Sequence, residues 1–277
     1  PTPTPPPTES DDPPKTVSDT VSAPRKVERP ECHFAALNYI ERMAPSARPI
    51  HQVLLLLRMN HGLSRAVARG VVAYSREQAG AGQWLFTLRL LDDADFDPEA
   101  FDGIITTGSR QPAVERARTG RTPAISVVNW PDDAPWPCVA LEDETIGRKV
   151  AEHLLGRWYT RFAFVGRSRQ FSHRRAAGFR GALAAAGIIA SEFEERLDPD
   201  WMAQVAKPAA VFAANDVVGQ RVINECRQAG VSVPEQVAVI GVDNDDLLCE
   251  TTDPPLSSVA VPGQEVGRTA ASLLERL

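Results

Sequence analysis

From residue 50 onward, short apolar runs alternate along the chain with segments whose apolar residues recur at helical spacing. Four apolar runs in the first half have the length of strands: 53–57, 84–90, 103–106 and 124–128. Between the first two, Val67, Val71 and Tyr74 mark one face of a helix that we expect to end near residue 78. Ser64 is predicted to cap it, because a serine hydroxyl accepts hydrogen bonds from free amides at a helix start. This alternation is typical of parallel strands with helical crossovers.

A second series of the same kind follows a joint that is rich in proline. Its strand candidates are the runs 161–166, 209–214 and 237–242. Helices are predicted from 143 onward with Ile146, Val150 and Leu154 on one face, over 175–186, from 216 onward and over 264–277. Asp143 and Asp216 are the predicted N-caps. The two series predict an α/β fold of two doubly wound parallel-sheet lobes with a ligand cleft between them. We assign 46–135 plus 262–277 to the first lobe and 136–261 to the second, with 258–261 recrossing the joint.

Residues 1–45 have a different character. Nine of the 23 prolines lie within the first 30 residues, among Thr, Ser, Asp and Glu. A segment with so little apolar surface to bury is predicted to be a disordered tail or linker. Helical spacing of apolar residues predicts one short helix within it, over 32–44.

Composition and motifs narrow the function. The chain has 30 basic and 36 acidic residues, a net charge of −6, which speaks against a broadly basic nucleic-acid surface. No apolar run approaches the roughly 18 residues of a membrane span, so no membrane partner is predicted. The four cysteines match no zinc template, so we expect reduced thiols, no metal and a cytoplasmic location. Dinucleotide, P-loop and nucleophile-elbow motifs are missing, and neither a cofactor nor catalytic residues are expected.

Polar side chains that follow the predicted strands are the best candidates for chemistry, since open α/β sheets bind ligands outside the carboxyl ends of their strands. Asn215, Asp243 and Arg175 offer fixed donors and acceptors that suit a polyhydroxylated ligand such as a sugar. Trp130 or Phe171 is a candidate to stack on an apolar sugar face. Some neighbours have a simpler interpretation: Asp216 is expected to cap a helix, and Asp245 and Asp246 to be solvated turn residues.

Several segments together resemble one family. They are LEDETIGRKVAEHLL (141–155), SHRRAAGFRGAL (172–183), VFAANDVVGQRVINECRQAGVSVPEQVAVIGVDND (211–245) and PPLSSVAV (254–261). This set closely resembles the effector-binding domain of lac-repressor-type regulators, which share the periplasmic-binding-protein type I fold. The RFAFVG and IGVDND segments suggest a narrower similarity, to the xylose-operon regulators of the AraC family.

The resemblance implies specific ligand contacts. By motif position it assigns sugar binding to Arg175, to Asn215 of the Asn-Asp pair and to Asp243 at the end of the IGVD strand. The loop after the first strand is expected to add His61, Leu63 and Ser64. Asn129, at the end of a first-lobe strand, is a further polar candidate.

The resemblance also implies a function. We expect a sugar-sensing effector-binding domain, for a pentose such as D-xylose, whose lobes close on the ligand. Operator DNA would be bound only through a domain absent from this chain, and a homodimer is expected. One alternative is an exported sugar-binding protein that serves a transporter. A second alternative, a sugar-modifying α/β enzyme, lacks a recognisable catalytic set.

Overall fold

The structure, a computed structural model, describes residues 52–78, 84–108, 111–127 and 136–277. The tail predicted over 1–45, with its helix, lies outside these residues, as do Asn129 and Trp130. Among the described helices, none combines the length and the apolar content that a bilayer crossing requires.

The first lobe is built on a parallel sheet whose strands stand in the order β2-β1-β3-β4-β5. The strands are β1 (Gln52–Leu56), β2 (Leu85–Arg89), β3 (Gly103–Thr106), β4 (Ala124–Val127) and β5 (Cys138–Val139). Its helices are α1 (Gly62–Glu77), α2 (Pro112–Arg118) and the last helix of the chain, α8 (Gly263–Leu274), and a 3-10 turn lies at Pro98–Ala100. Helix α8 contacts β3, β4 and β5, so the chain returns to this lobe at its end.

The second lobe is a parallel sheet of order β10-β9-β8-β6-β7. Its strands are β6 (Phe162–Gly166), β7 (Ser191–Glu194), β8 (Ala209–Ala213), β9 (Val237–Asp243) and β10 (Ser257–Ala260). Its helices are α3 (Asp143–Leu155), α4 (Gln170–Ala185), α5 (Pro199–Gln204), α6 (Asp216–Gln228) and α7 (Asp246–Glu250). Two parallel sheets with flanking helices confirm the predicted fold class.

Strand β1 shows why the apolar runs were informative. Val53, Leu55 and Leu57 pack into one core cluster, and Leu54 and Leu56 into another on the opposite face. A parallel strand that is covered by helices on both faces must be apolar at every position. The continuous apolar run 53–57 therefore indicates a strand in the centre of a sheet.

Several predicted boundaries are wrong. Strand β5 pairs with β4, although 136–261 was assigned to the second lobe. Helix α1 starts at Gly62 with His61 as N-cap, so Ser64 lies inside it. Helix α3 has Glu142 rather than Asp143 as its N-cap, and α4 begins at Gln170 rather than 175. Strand β7 and helix α5 were not predicted.

A pair of glycines brings α3 and α4 into close contact. A Cβ on Gly147 would lie 2.0 Å from the Arg175 carbonyl oxygen, and one on Gly178 would lie 1.9 Å from the Glu144 carbonyl oxygen. Real Cβ atoms do not approach backbone oxygens so closely, because their van der Waals radii overlap. Glycine at both positions therefore lets the two backbones touch.

The first lobe uses the same device between α1 and α8. A Cβ on Gly70 would lie 2.0 Å from the Gln264 carbonyl oxygen, and one on Gly267 would lie 2.1 Å from the Val67 carbonyl oxygen. Each lobe thus has one helix pair whose spacing depends on two glycines.

Candidate functional site

Arg175 is the centre of the polar cluster in the second lobe. Its side chain is almost fully buried, at 2% exposure. Its Nε donates to Oδ1 of Asp143 at 2.8 Å, and its Nη1 donates to the carbonyl oxygen of Ala214 at 2.6 Å. Ala214 directly follows β8, so Arg175 joins α4 to α3 and to the carboxyl end of a central strand. A buried guanidinium that is satisfied in this way holds the geometry of its surroundings.

Asp243 lies beside it at the end of β9. One of its carboxylate oxygens, Oδ1, is 3.9 Å from Nη1 of Arg175, is buried, and makes no hydrogen bond to any described residue. Buried polar atoms are nearly always paired, so an unpaired one requires an explanation. Its backbone adopts a φ of 111°, a conformation that residues with a Cβ rarely take and that is concentrated at functional sites.

Burial raises the pKa of Asp243 to about 7. Arg175 opposes this shift, while Asp216, Asp143 and Asp245 add to it. Near neutral pH the carboxyl group is therefore close to its midpoint of ionisation. A carboxyl group in this state can accept or donate a hydrogen bond, which suits a ligand hydroxyl.

The raised pKa gives a stability prediction. The unfolded chain ionises Asp243 near pH 4, whereas the folded chain resists ionisation up to about pH 7. The wild-type protein thus loses stability as pH rises between these values. We expect Asp243→Asn to be more stable than wild type at pH 8, by an amount on the order of a few kcal/mol, with the difference shrinking towards pH 4. Thermal melts across pH 4–8 measure this, and a difference that stays constant with pH would contradict it.

Asn215 lies at the same carboxyl edge of the second sheet and directly follows Ala214. It is the N-cap of α6, and its Oδ1 accepts a hydrogen bond from the amide of Val218 at 3.0 Å. Asp216 was predicted to hold that position, which is wrong. The Asp216 carboxylate instead accepts from the backbone amide of Asp245 at 2.8 Å and from the Ser258 hydroxyl at 2.5 Å. Burial raises its pKa to about 6, although these two donors favour the charged form.

The first-lobe candidates lie at the start of α1. The ring of His61 is partly buried, and burial lowers its pKa, with the nearby charge of Arg58 acting in the same direction. Leu63 belongs to the apolar core cluster, and Ser64 is buried within the first turns of the helix. Their contacts with a ligand stay predictions.

The structure brings some predicted residues together and not others. Arg175, Asp243 and Asn215 share the carboxyl edge of the second sheet, and the ring centroid of Phe171 lies 5.0 Å from Cζ of Arg175. That ring therefore stacks on the guanidinium. Asn129 lies outside the described residues. No group of described His, Cys, Asp and Glu side chains is arranged to hold a metal ion.

Two acidic residues of the site had been given simpler roles. Asp143 was expected only to cap a helix, yet it pairs with Arg175 in the interior. Asp245 was interpreted as a solvated turn residue, yet its side chain is 3% exposed and pairs with Arg65 at 3.0 Å. For Asp245, the sequence offered one signal of a role in the site: it follows the end of β9 by two residues. Asp246 is exposed, as expected for a turn.

Comparison with known proteins identifies what the chain resembles. Residues 151–277 match the family model described as periplasmic binding protein-like domain. The transcriptional repressor CytR of Escherichia coli K12 is 28% identical over 189 residues, covering 62% of this chain and 55% of the repressor. The transcriptional regulator GntR of Pseudomonas aeruginosa is 31% identical over 191 residues, covering 62% of this chain and 54% of the regulator. The chain thus spans about half the length of these curated relatives.

Solved structures share the fold. A LacI family transcriptional regulator from Enterococcus faecium, solved with bound ribose, superposes with a TM-score of 0.63 at 23% identity. The match covers 81% of this chain and 88% of that one. At this identity the likeness establishes the fold alone.

The comparisons correct the narrower resemblance. The relatives are HTH-type regulators such as CytR and GntR, and the structural match is a LacI family regulator, so the assignment to the AraC family of xylose-operon regulators is not supported. The relatives are transcriptional regulators and not enzymes, as predicted. Residues 151–277 therefore match a periplasmic binding protein-like domain, the sequence relatives of the chain are HTH-type transcriptional regulators, and its fold resembles that of a LacI family structure.

Proposed function

We propose that this chain is the effector-binding module of a transcription regulator and holds a small polyhydroxylated ligand between its two lobes. The observation that carries the proposal is the carboxyl group of Asp243. Asp243 stands at a strand end on strained backbone, and its Oδ1 is buried and has no hydrogen-bond partner among the described residues. Strain and an unpaired polar atom both cost free energy, and they persist where a site needs a particular geometry.

The proposed contacts follow from the geometry. Asp243 exchanges hydrogen bonds with ligand hydroxyls, and the side-chain nitrogen of Asn215 donates to a ligand oxygen while its Oδ1 caps α6. Arg175 has Nε and Nη1 engaged, so its main task is to position Asp143, Asp243 and the Ala214 carbonyl. His61, Leu63, Ser64 and Asn129 are proposed to complete the site from the first lobe.

We propose a sugar as the ligand, with a pentose such as D-xylose as the first candidate. The ribose in the Enterococcus faecium structure supports this class, since the two folds match. The relatives are HTH-type transcriptional regulators, which supports operator DNA as a partner of the whole protein. We propose a homodimer and a cytoplasmic location together with this function. The relatives favour this function over an exported sugar-binding protein, because they are regulators.

A ligand screen tests the proposal. Melting temperatures are measured with D-xylose, D-ribose, other pentoses, hexoses and purines at millimolar concentration. A ligand that binds only the folded state stabilises it by about 2.7 kcal/mol at a concentration of 100 Kd. We expect a selective rise with one pentose. The absence of a rise with any sugar would contradict the proposed ligand class.

Variants at the site localise the binding. Asp243→Asn and Asn215→Ala are expected to weaken affinity for that sugar roughly 10- to 100-fold. The first replaces a carboxylate acceptor with an amide donor and the second removes the side-chain amide, and a buried polar group left without its partner costs about 1–3 kcal/mol. Asp246→Asn is the matched control, because it makes the same chemical change on an exposed neighbour. Isothermal titration calorimetry measures each affinity. Unchanged binding in both site variants would place the ligand elsewhere.

A further inference from the structure

The side chain of Asp245 forms polar contacts between the two lobes, at the carboxyl edges of their sheets. Oδ2 of Asp245, in the second lobe, accepts a hydrogen bond from the backbone amide of Gly62 at 2.5 Å. Its Oδ1 accepts from Nη2 of Arg65 at 3.0 Å. Gly62 and Arg65 both belong to the first turn of α1 in the first lobe. The contact therefore connects the first lobe to the second lobe.

This contact is built to be strong. The carboxylate stands at the N-terminus of α1, where free amides and the helix dipole favour negative charge. The Asp245 side chain is 3% exposed and that of Arg65 is 28% exposed, so water screens the pair less than it screens a surface ion pair. A Cβ on Gly62 would lie 2.8 Å from Cγ of Asp245, so the close approach requires glycine there.

The second-lobe side of the contact is fixed to the segment that crosses between lobes. The backbone amide of Asp245 donates to Oδ2 of Asp216, whose Oδ1 accepts from the Ser258 hydroxyl. The same hydroxyl accepts from the backbone amide of Asn244 at 3.0 Å. Ser258 lies in β10, and the chain passes from β10 directly into α8 of the first lobe. Asp245 is thus held rigidly relative to the crossover.

We propose that Asp245 is a latch: its carboxylate holds the two lobes together through Gly62 and Arg65, and this contact breaks when the lobes separate. The chain's own residues supply both halves of the latch, so it sets the balance between closed and open lobes whatever the ligand is. This inference goes beyond the proposed function and stands if the effector turns out not to be a sugar.

Two variants of the full chain test the latch from opposite sides. Asp245→Ala removes the carboxylate, and Gly62→Ala crowds it without changing any charge. Asp246→Ala is the matched control, because it removes the carboxylate of an exposed neighbour of Asp245. We expect both test variants to increase the radius of gyration in small-angle X-ray scattering, and the control to match wild type.

Hydrogen exchange adds a local measurement. In Asp245→Ala the amide of Gly62 is expected to exchange about fivefold faster or more, since it loses its acceptor. Peptides from 243–250 and 257–262 should exchange faster with it, while the β1 peptide should stay protected and show that the fold is intact. Faster exchange confined to the first turn of α1, with an unchanged radius of gyration, would overturn the latch and leave Asp245 as a helix cap. Unchanged exchange at Gly62 would also overturn it.

Discussion

Replacing Gly178 with alanine is expected to destabilise the protein by about 3 kcal/mol, the upper end of what overpacking a well-packed interior typically costs. The new Cβ would lie 1.9 Å from the Glu144 carbonyl oxygen, which belongs to the backbone of α3 and cannot rotate away. The two helices must move apart, and closely packed interiors resist such movement. Thermal and urea unfolding measure the loss.

Gly181 is the control for this prediction, since it lies three residues further along the same helix. A Cβ there would meet nothing within 4 Å. Alanine is favoured over glycine in a helix by about 1 kcal/mol, so Gly181→Ala should stabilise the protein by up to that amount. Opposite signs for the two substitutions show that helix contact, rather than helix propensity, decides the first. Equal effects would contradict the close approach of α3 and α4.

Replacing Arg175 with methionine is the other change with a large expected effect. It leaves the Asp143 carboxylate and the Ala214 carbonyl without their donor in the interior. Removing one partner of a buried ion pair typically costs about 3–5 kcal/mol, because the remaining charge is buried uncompensated. Arg174→Met, on the exposed side of α4, is the control and should change stability by less than about 0.5 kcal/mol.

The cost of Arg175→Met should depend on pH in a definite direction. Burial already raises the pKa of Asp143 and Asp243, and Arg175 lowers both. Without the guanidinium, the folded state holds these protons to higher pH, while the unfolded chain releases them near pH 4. Stability of the variant then falls as pH rises, so the loss relative to wild type is larger at pH 8 than at pH 5. A loss independent of pH would exclude this electrostatic cause.

Local pattern was sufficient for most of the fold. The central strands are nearly continuous apolar runs, and the main helices carry an apolar face, so a window of a few residues is enough to predict both. Strand β7 does not, because its sequence SEFE alternates half-buried and exposed positions at a sheet edge. Strand β5 has two residues, and its assignment to the first sheet is decided by pairing with β4, which no local pattern encodes.

The residues of the candidate site also fall into those that local sequence predicts and those that it does not. Position after a strand was enough to single out Asn215, Asp243 and Arg175, and the family motif selected the same three residues. The roles of Asp143 and Asp245 depend on partners from other elements: Asp143 pairs with Arg175, and Asp245 contacts a helix 180 or more residues earlier. A contact over such a separation forms only when both lobes are folded, so turn chemistry alone misassigned Asp245 to solvent.

The packing of α1 against α8 has a consequence for the order in which the protein is made. The first lobe needs the last helix of the chain, whereas all strands of the second lobe lie in one unbroken stretch. At a synthesis rate of about 5–20 residues per second, the ribosome takes on the order of ten seconds to add the second lobe after β5. During that time the face of α1 around Gly70 and Val71 has no partner. The nascent first lobe thus keeps an apolar face of α1 exposed until α8 packs on it and Gly267 lies beside Val67.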